Sequence, residues 1–248
     1  MATLKTLSDP ALSAVVVAEA GSPAWLGALD ALVVTRRLVI PRTTLTSATP
    51  DDVARWAHTT LAGVPASVAG PLLDDMTAIA AWVAEQSRTG RVLVRIFTET
   101  PTRRCGFHVD TVPPRASPIG ALRVYNGRTT EYVIPGDVRS MPDFYAYLSC
   151  RERLAKGTVA PRSDRTAELL ALDESPAFLR QGARIHSVPP GATVYFKHID
   201  VTRHWSAHPV GDVWIQRSPS SGGPRLVLNV SPTTAVPAAP GRERTAGA

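Results

Sequence analysis

The chain has 248 residues, a formal net charge of +6 and a hydrophobic content of 44%, enough for one large domain or a core domain with an appended helical segment. Lys5, Lys156 and Lys197 are the only lysines, so scattered arginines carry the excess charge, and no basic run exceeds the pairs Arg36-Arg37 and Arg103-Arg104. Aromatics are 6%, so the clustered cations and interleaved rings of a nucleic-acid surface are missing and no nucleic-acid partner is expected.

Cys105 and Cys150 are too few for a disulfide framework or a four-thiolate zinc site. The apolar stretch Ala11 to Ala18 superficially resembles a secretory h-region. Asp9 and Pro10 before it and Glu19 after it argue against that, and no segment approaches the ~20 apolar residues of a membrane span. The expectation is a soluble cytoplasmic protein without a membrane partner; the oligomeric state is left open.

Residues 1–90 are mostly helical in pattern and are expected to pack on the outside of a β domain. Thr49-Pro50-Asp51-Asp52 is a helix start, followed by Val53, Trp56, Ala57 and Leu61 at helical spacing. Pro71 to Gln86 is a second helix, and Leu38-Val39-Ile40 between them reads as an early strand or a buried turn. From Arg91 the texture changes to short apolar runs broken by Gly and Pro. These are Val92–Phe97, Gly106–Asp110, Ile119–Tyr125, Thr130–Ile134, Ala183–Val188, Thr193–Ile199, Val213–Arg217 and Leu226–Val230. A helical insertion lies between Pro142 and Leu172. Residues 91–230 are thus expected to form a double-stranded β-helix (jelly roll, cupin-like), in a protein that is mainly β with N-terminal helices. A sandwich of another topology is the competitor. Residues 231–248, rich in Pro, Ala and Thr, are expected to be a disordered tail.

The chemistry centres on Cys105-Gly106-Phe107-His108-Val109-Asp110. Side chains two apart on a strand share a face, so His108 and Asp110 can offer an imidazole nitrogen and a carboxylate oxygen to one ion. That is two-thirds of the two-His-one-carboxylate site of non-haem iron. Arg95 and Arg123 each stand within an apolar run, where a guanidinium is either outward-facing or paired; if inward, each is a candidate clamp for a carboxylated substrate. In Lys197-His198-Ile199-Asp200, alternation separates Lys197 from His198, so one of the two faces the barrel interior.

Phe107-His108-Val109-Asp110-Thr111-Val112 followed by Tyr125-Asn126-Gly127-Arg128-Thr129-Thr130-Glu131-Tyr132, then Gln216-Arg217-Ser218-Pro219 and Arg225-Leu226-Val227-Leu228, resembles an uncharacterised bacterial family. Its pattern is F-H-V-D-x-V, Y-x-G-x-G-T-E-W, H-R-S-P-P and R-x-L-L-x-L. The same order of groups is similar to that of the Fe(II)/2-oxoglutarate oxygenases. The resemblance implies Fe(II) and 2-oxoglutarate as cofactors, with Arg225 holding the far carboxylate of 2-oxoglutarate. It implies oxidation of a small carboxylated substrate, such as an amino acid or natural-product intermediate, by hydroxylation, desaturation or cyclisation. The chain departs from it at Gln216, which stands where the pattern has His. Three readings follow: Gln216 ligates the metal or leaves a site completed by water, His208 or His198 replaces it, or catalysis is lost. The other classes are a cupin-like small-molecule-binding protein without redox chemistry, and a metal-dependent enzyme of the same fold that does not use 2-oxoglutarate.

Overall fold

A computed structural model of the chain describes residues 7, 9, 12–18, 23–87, 89–102, 106–112, 119–156, 162–200 and 208–233. Strands β1 (Ala14–Val17), β2 (Thr43–Ala48), β3 (Val92–Glu99), β5 (Ile119–Val124), β8 (Thr193–Lys197) and β11 (Arg225–Pro232) form one antiparallel sheet, in the order β1-β8-β5-β11-β3-β2. A smaller antiparallel sheet has the order β10 (Gln216–Arg217), β6 (Glu131–Tyr132) and β7 (His186–Ser187). A parallel pair joins β4 (Thr111–Val112) to β9 (Ile199–Asp200).

Strand alternation decides what each sheet face buries. On β3 and β11, Val94, Ile96, Leu226, Leu228 and Val230 join the core under the helices α1 (Ala24–Val34), α2 (Pro50–Thr60) and α3 (Ala66–Gln86). Phe97 and Val227 point the other way and join Leu122, Val194, Phe196 and Trp214 in a second apolar layer. A third cluster, around Phe107, Phe144, Phe178 and Ile215, packs α4 (Met141–Lys156) beneath the smaller sheet; α5 (Arg162–Glu174) follows α4 in the chain.

The N-terminal region is less helical than expected. It contributes β1 and β2, which cover the outer edges of the large sheet by pairing with β8 and β3. The Ala14–Val17 run is β-branched and finds a free ladder there, which satisfies its backbone and blunts an exposed sheet edge. Leu38 and Ile40 are buried in the loop before β2 and lie outside any strand. Helix α2 begins where expected: the Thr49 side chain accepts from the Asp52 N–H, and the Asp52 carboxylate accepts from the Thr49 N–H, with Pro50 in the first turn. Helix α3 starts at Ala66 and carries Pro71 inside it. The Gly106–Asp110 run makes only an isolated bridge at His108 before β4 begins at Thr111. Strand β11 reaches Pro232, past the expected end of the β region, Thr233 after it is buried, and the proposed tail from residue 234 on lies outside the described residues. Among the described residues no helix is long and apolar enough to cross a membrane.

Arg123 faces the helices rather than the interior between the sheets. Its guanidinium is 3% exposed, lies 3.2 Å from Asp75 of α3 and donates to Thr193 at 3.0 Å, while the Tyr125 hydroxyl donates to the same Asp75 at 2.7 Å. Removing the carboxylate strands a buried cation. Asp75→Ala is therefore expected to cost about 3 kcal/mol, read from the urea unfolding midpoint. Burial, and then the Asp75 charge, pushes the neighbouring Tyr195 hydroxyl up to about 12. The folded state therefore keeps this proton longer than the unfolded chain, whose tyrosine titrates near 10. The stability it contributes is intact below pH ~10 and is lost as pH rises toward ~12, measurable as a falling unfolding midpoint that Tyr195→Phe flattens.

Candidate metal centre and arginine pocket

His108 and Gln216 exchange both backbone hydrogen bonds, His108 N–H to Gln216 O at 2.8 Å and Gln216 N–H to His108 O at 3.0 Å. This single antiparallel bridge adds the His108 segment to the small sheet beside β10. Alternation then sends Phe107, Val109, Val213 and Ile215 outward into the α4 layer. His108, Asp110 and Gln216 point between the two sheets, into one pocket.

Three polar side-chain tips meet there. The Gln216 amide nitrogen lies 3.4 Å from His108 Nε2 and 3.3 Å from Asp110 Oδ2, and His108 Nε2 is 3.9 Å from Asp110 Oδ1. His108 Nδ1 sits 3.0 Å from the Gly106 carbonyl, which can only accept. Nδ1 therefore carries the ring proton and Nε2 presents a lone pair to the other two side chains. An imidazole tautomer fixed by a backbone carbonyl is the usual preparation of a metal-ligating histidine. Turning the Gln216 amide over would replace its N–H₂ with a carbonyl oxygen, giving a neutral-N, anionic-O, neutral-O donor set suited to a divalent ion.

The segment bearing His108 is braced from outside. The Phe107 N–H donates to the Tyr147 hydroxyl at 2.9 Å, and that hydroxyl donates to Asp173 at 2.6 Å. Arg151 pairs with the same carboxylate at 3.0 Å. Burial and the adjacent Asp173 push the Tyr147 hydroxyl well above the usual tyrosine range, so it remains a proton donor. Arg217, next to Gln216, donates to Glu131 at 2.8 Å and to the Asp173 carbonyl at 2.7 Å, and covers the Phe107 ring at 4.4 Å.

The pocket holds about 300 Å³ and is also lined by Arg42, Arg95, Glu99, Ser218, Arg225 and Asn229. Arg225 is 2% exposed and already committed. It donates to Glu99 Oε1 at 2.6 and 3.2 Å, to Ser218 Oγ at 2.7 Å and to the Arg128 carbonyl at 3.0 Å. Arg95 lines the same pocket from β3. A larger depression of about 990 Å³ around Arg139, Arg180 and Ile185 has Glu174 as its only acidic side chain and no histidine.

The remaining sequence candidates lie elsewhere. Arg123 is on the helix-facing side, as described. Lys197 donates to the Asp9 carbonyl at 2.9 Å and lies 3.6 Å from Asp212, outside the pocket. His198 is buried against the Phe196 ring, with its Nε2 3.3 Å from Ser231 Oγ, and does not line the pocket. His208 is also buried outside the pocket lining. Neither histidine is brought to His108 and Asp110, and Gln216 is. Among the described residues no group of three His, Cys, Asp or Glu side chains gathers as a metal site, because the third position here is an amide. Cys105 and His204 lie outside the described residues. Sequence reading missed Glu99 and Asn229, although the inward alternation Arg95, Phe97, Glu99 and Arg225, Val227, Asn229 contained both.

No family model matches the chain, and no curated protein matches it; the bacterial-family pattern stands as a motif resemblance alone. Among solved structures, the chain is similar to a dioxygenase for auxin oxidation from rice, at 14% identity over 92% of this chain and 76% of that one, with a TM-score of 0.44. It is similar to a Pseudomonas putida prolyl-4-hydroxylase at 13% identity over 95% and 98% of the two chains, TM-score 0.39. HygX from Streptomyces hygroscopicus with iron bound aligns at 11% identity over 94% and 87%, TM-score 0.40. The functional reading rests instead on the side chains already placed.

A Cβ at Gly106 would lie 2.0 Å from Arg151 Nε and 2.5 Å from the Tyr147 hydroxyl. Gly106→Ala is expected to push both aside and loosen the Phe107–His108 backbone. Disturbing such supporting contacts typically weakens a metal about 10–100-fold; Tyr147→Phe should do the same more mildly, checked by anaerobic Mn(II) or Co(II) titration.

Proposed function

We propose that this protein is a non-haem Fe(II)- and 2-oxoglutarate-dependent oxygenase of a small carboxylated molecule, built on a double-stranded β-helix. The carrying observation is the convergence of His108, Asp110 and Gln216 within 3.3–3.9 Å of one another, in a pocket that also holds three arginines against two acids. The topology supports the fold reading. From β3 onward the chain crosses repeatedly between the two sheets, with β6 and β7 consecutive in the small one, and ends with β10 in the small one and β11 in the large one. The large sheet then contains β3-β11-β5-β8, and the small one the His108 segment beside β10-β6-β7.

His108 Nε2, an Asp110 carboxylate oxygen and the Gln216 amide oxygen would hold the metal. When bound, Fe(II) with 2-oxoglutarate supplies dioxygen activation coupled to oxidative decarboxylation to succinate and carbon dioxide, with oxidation of a second substrate. The chain's own contribution is positional. The Gly106 carbonyl holds the His108 ring, the Tyr147–Asp173 contact holds its backbone, and the apolar layer of Phe97, Leu122 and Val227 excludes water from one wall. The arginine excess suits a dianionic cosubstrate and an acidic substrate.

Anaerobic titration with Fe(II) and 2-oxoglutarate tests the reading, through the weak visible charge-transfer band of the chelate. His108→Ala and Asp110→Ala should each abolish stoichiometric metal while the fold persists. Gln216→His should tighten Fe(II) by about tenfold or more, since imidazole is the stronger donor. Full metal occupancy in both alanine variants would refute the site.

One observation favours a second reading, a small-acid-binding protein without redox chemistry: the Gln216 amide already bridges His108 and Asp110 by itself. Carboxylate binding without Fe(II) uptake would select it.

A further inference from the structure

Arg225, the arginine that the resemblance assigns to a ligand carboxylate, is occupied by a carboxylate of the protein itself. Its Nε–H and Nη2–H both reach Glu99 Oε1, and Ser218 and the Arg128 carbonyl take further donors. Glu99 also stands 3.8 Å from Arg42, whose guanidinium lies over the Phe97 ring at 3.9 Å. That end of the pocket already holds a carboxylate, which Arg225 shares with Arg42.

The other end is open. Arg95 of β3 and Asn229 of β11 are register partners and both line the pocket. The Asn229 side-chain oxygen accepts from Ser231 Oγ at 3.0 Å, which orients the amide and leaves both of its N–H donors unused. Neither those N–H groups nor the Arg95 guanidinium has a partner among the described residues. Two adjacent donors, one of them charged and half-buried, thus face the cavity with no acceptor between them. An unpaired guanidinium in such a place is costly unless a ligand completes it, and its planar fork matches a carboxylate. Arg95 and Glu99 are four residues apart on one strand, as are Asn229 and Arg225 on the next. The two positions are about 13 Å apart along the backbone, separate sites rather than halves of one.

We propose that Arg95 and the Asn229 amide form the carboxylate-binding site of this pocket, for one end of a short dicarboxylic or 2-oxo acid, while Glu99 keeps Arg225 out of that role. The proposal deepens the functional reading by naming the anchor and the ligand class, but it does not require a bound metal.

Glutarate is the probe, because it has two carboxylates and no keto group to chelate with. Its binding to the full-length protein without added metal is followed by ligand-observed NMR or calorimetry. The wild-type protein should bind it. Arg95→Gln should weaken it by about tenfold or more, as loss of a charged bidentate contact does. Arg95→Lys, which keeps the charge and loses the fork, should fall between the two and guards against a folding artefact. Glu99→Gln, which leaves an acceptor on Arg225, should change affinity by less than about twofold. No glutarate binding by the wild type would overturn the proposal, as would equal binding by Arg95→Gln. Tightening by about tenfold in Glu99→Gln would overturn it in favour of Arg225. A wild type that binds glutarate at Arg95 but gives no Fe(II)–2-oxoglutarate band would keep this inference and discard the oxygenase reading.

Discussion

The two reciprocal backbone hydrogen bonds between His108 and Gln216 are the constraint on which the rest of the site depends. The flanking segment has almost no other ladder; β4 is two residues long and begins only at Thr111. Because side chains alternate across a strand, that one bridge settles the facing of every residue near it. A slip of one residue would turn His108, Asp110 and Gln216 into the α4 layer and bring Phe107 and Ile215 into the pocket. The apolar demand of that layer, with Phe107 packed against Phe178 and Tyr147, makes such a slip expensive. Hydrophobic packing outside the sheet therefore holds the polar geometry inside it.

Much of this was legible in the residues. The shared face of His108 and Asp110 follows from their spacing, and the alternation on β11 follows from Arg225-Leu226-Val227-Leu228. The helix start at Thr49 follows from its capping chemistry. What stayed hidden was pairing. Nothing local to Arg225 announces Glu99, which is 126 positions away, and Arg123 reads the same whether it faces a ligand or Asp75 of α3. Lys197 and His198 were ambiguous for a similar reason: alternation separates them, but only the sheet order says which face is which. β1 and β2 were missed because short edge strands are defined by the ladder they join more than by their own pattern.

The charges also fall into a division of labour. Arg123, Arg151 and Arg217 are held by Asp75, Asp173 and Glu131 in structural pairs outside the pocket. Inside it, Arg225 is neutralised by Glu99 and Arg95 is not. These three paired arginines serve architecture, so the overall charge of this lysine-poor chain says little about its ligands.

Trp214 gives the centre a built-in optical reporter. It precedes Gln216 by two residues on the same inward face, is 2% exposed, and lies 4.6 Å from the Phe196 ring and 6.2 Å from Tyr132. An indole in so dry a layer emits at short wavelength, and its field changes when a dipole or charge nearby is reoriented. Rotation of the Gln216 amide, or arrival of a cation beside it, would be written into the Trp214 share of the emission of the chain's five tryptophans, as a difference that Trp214→Phe removes.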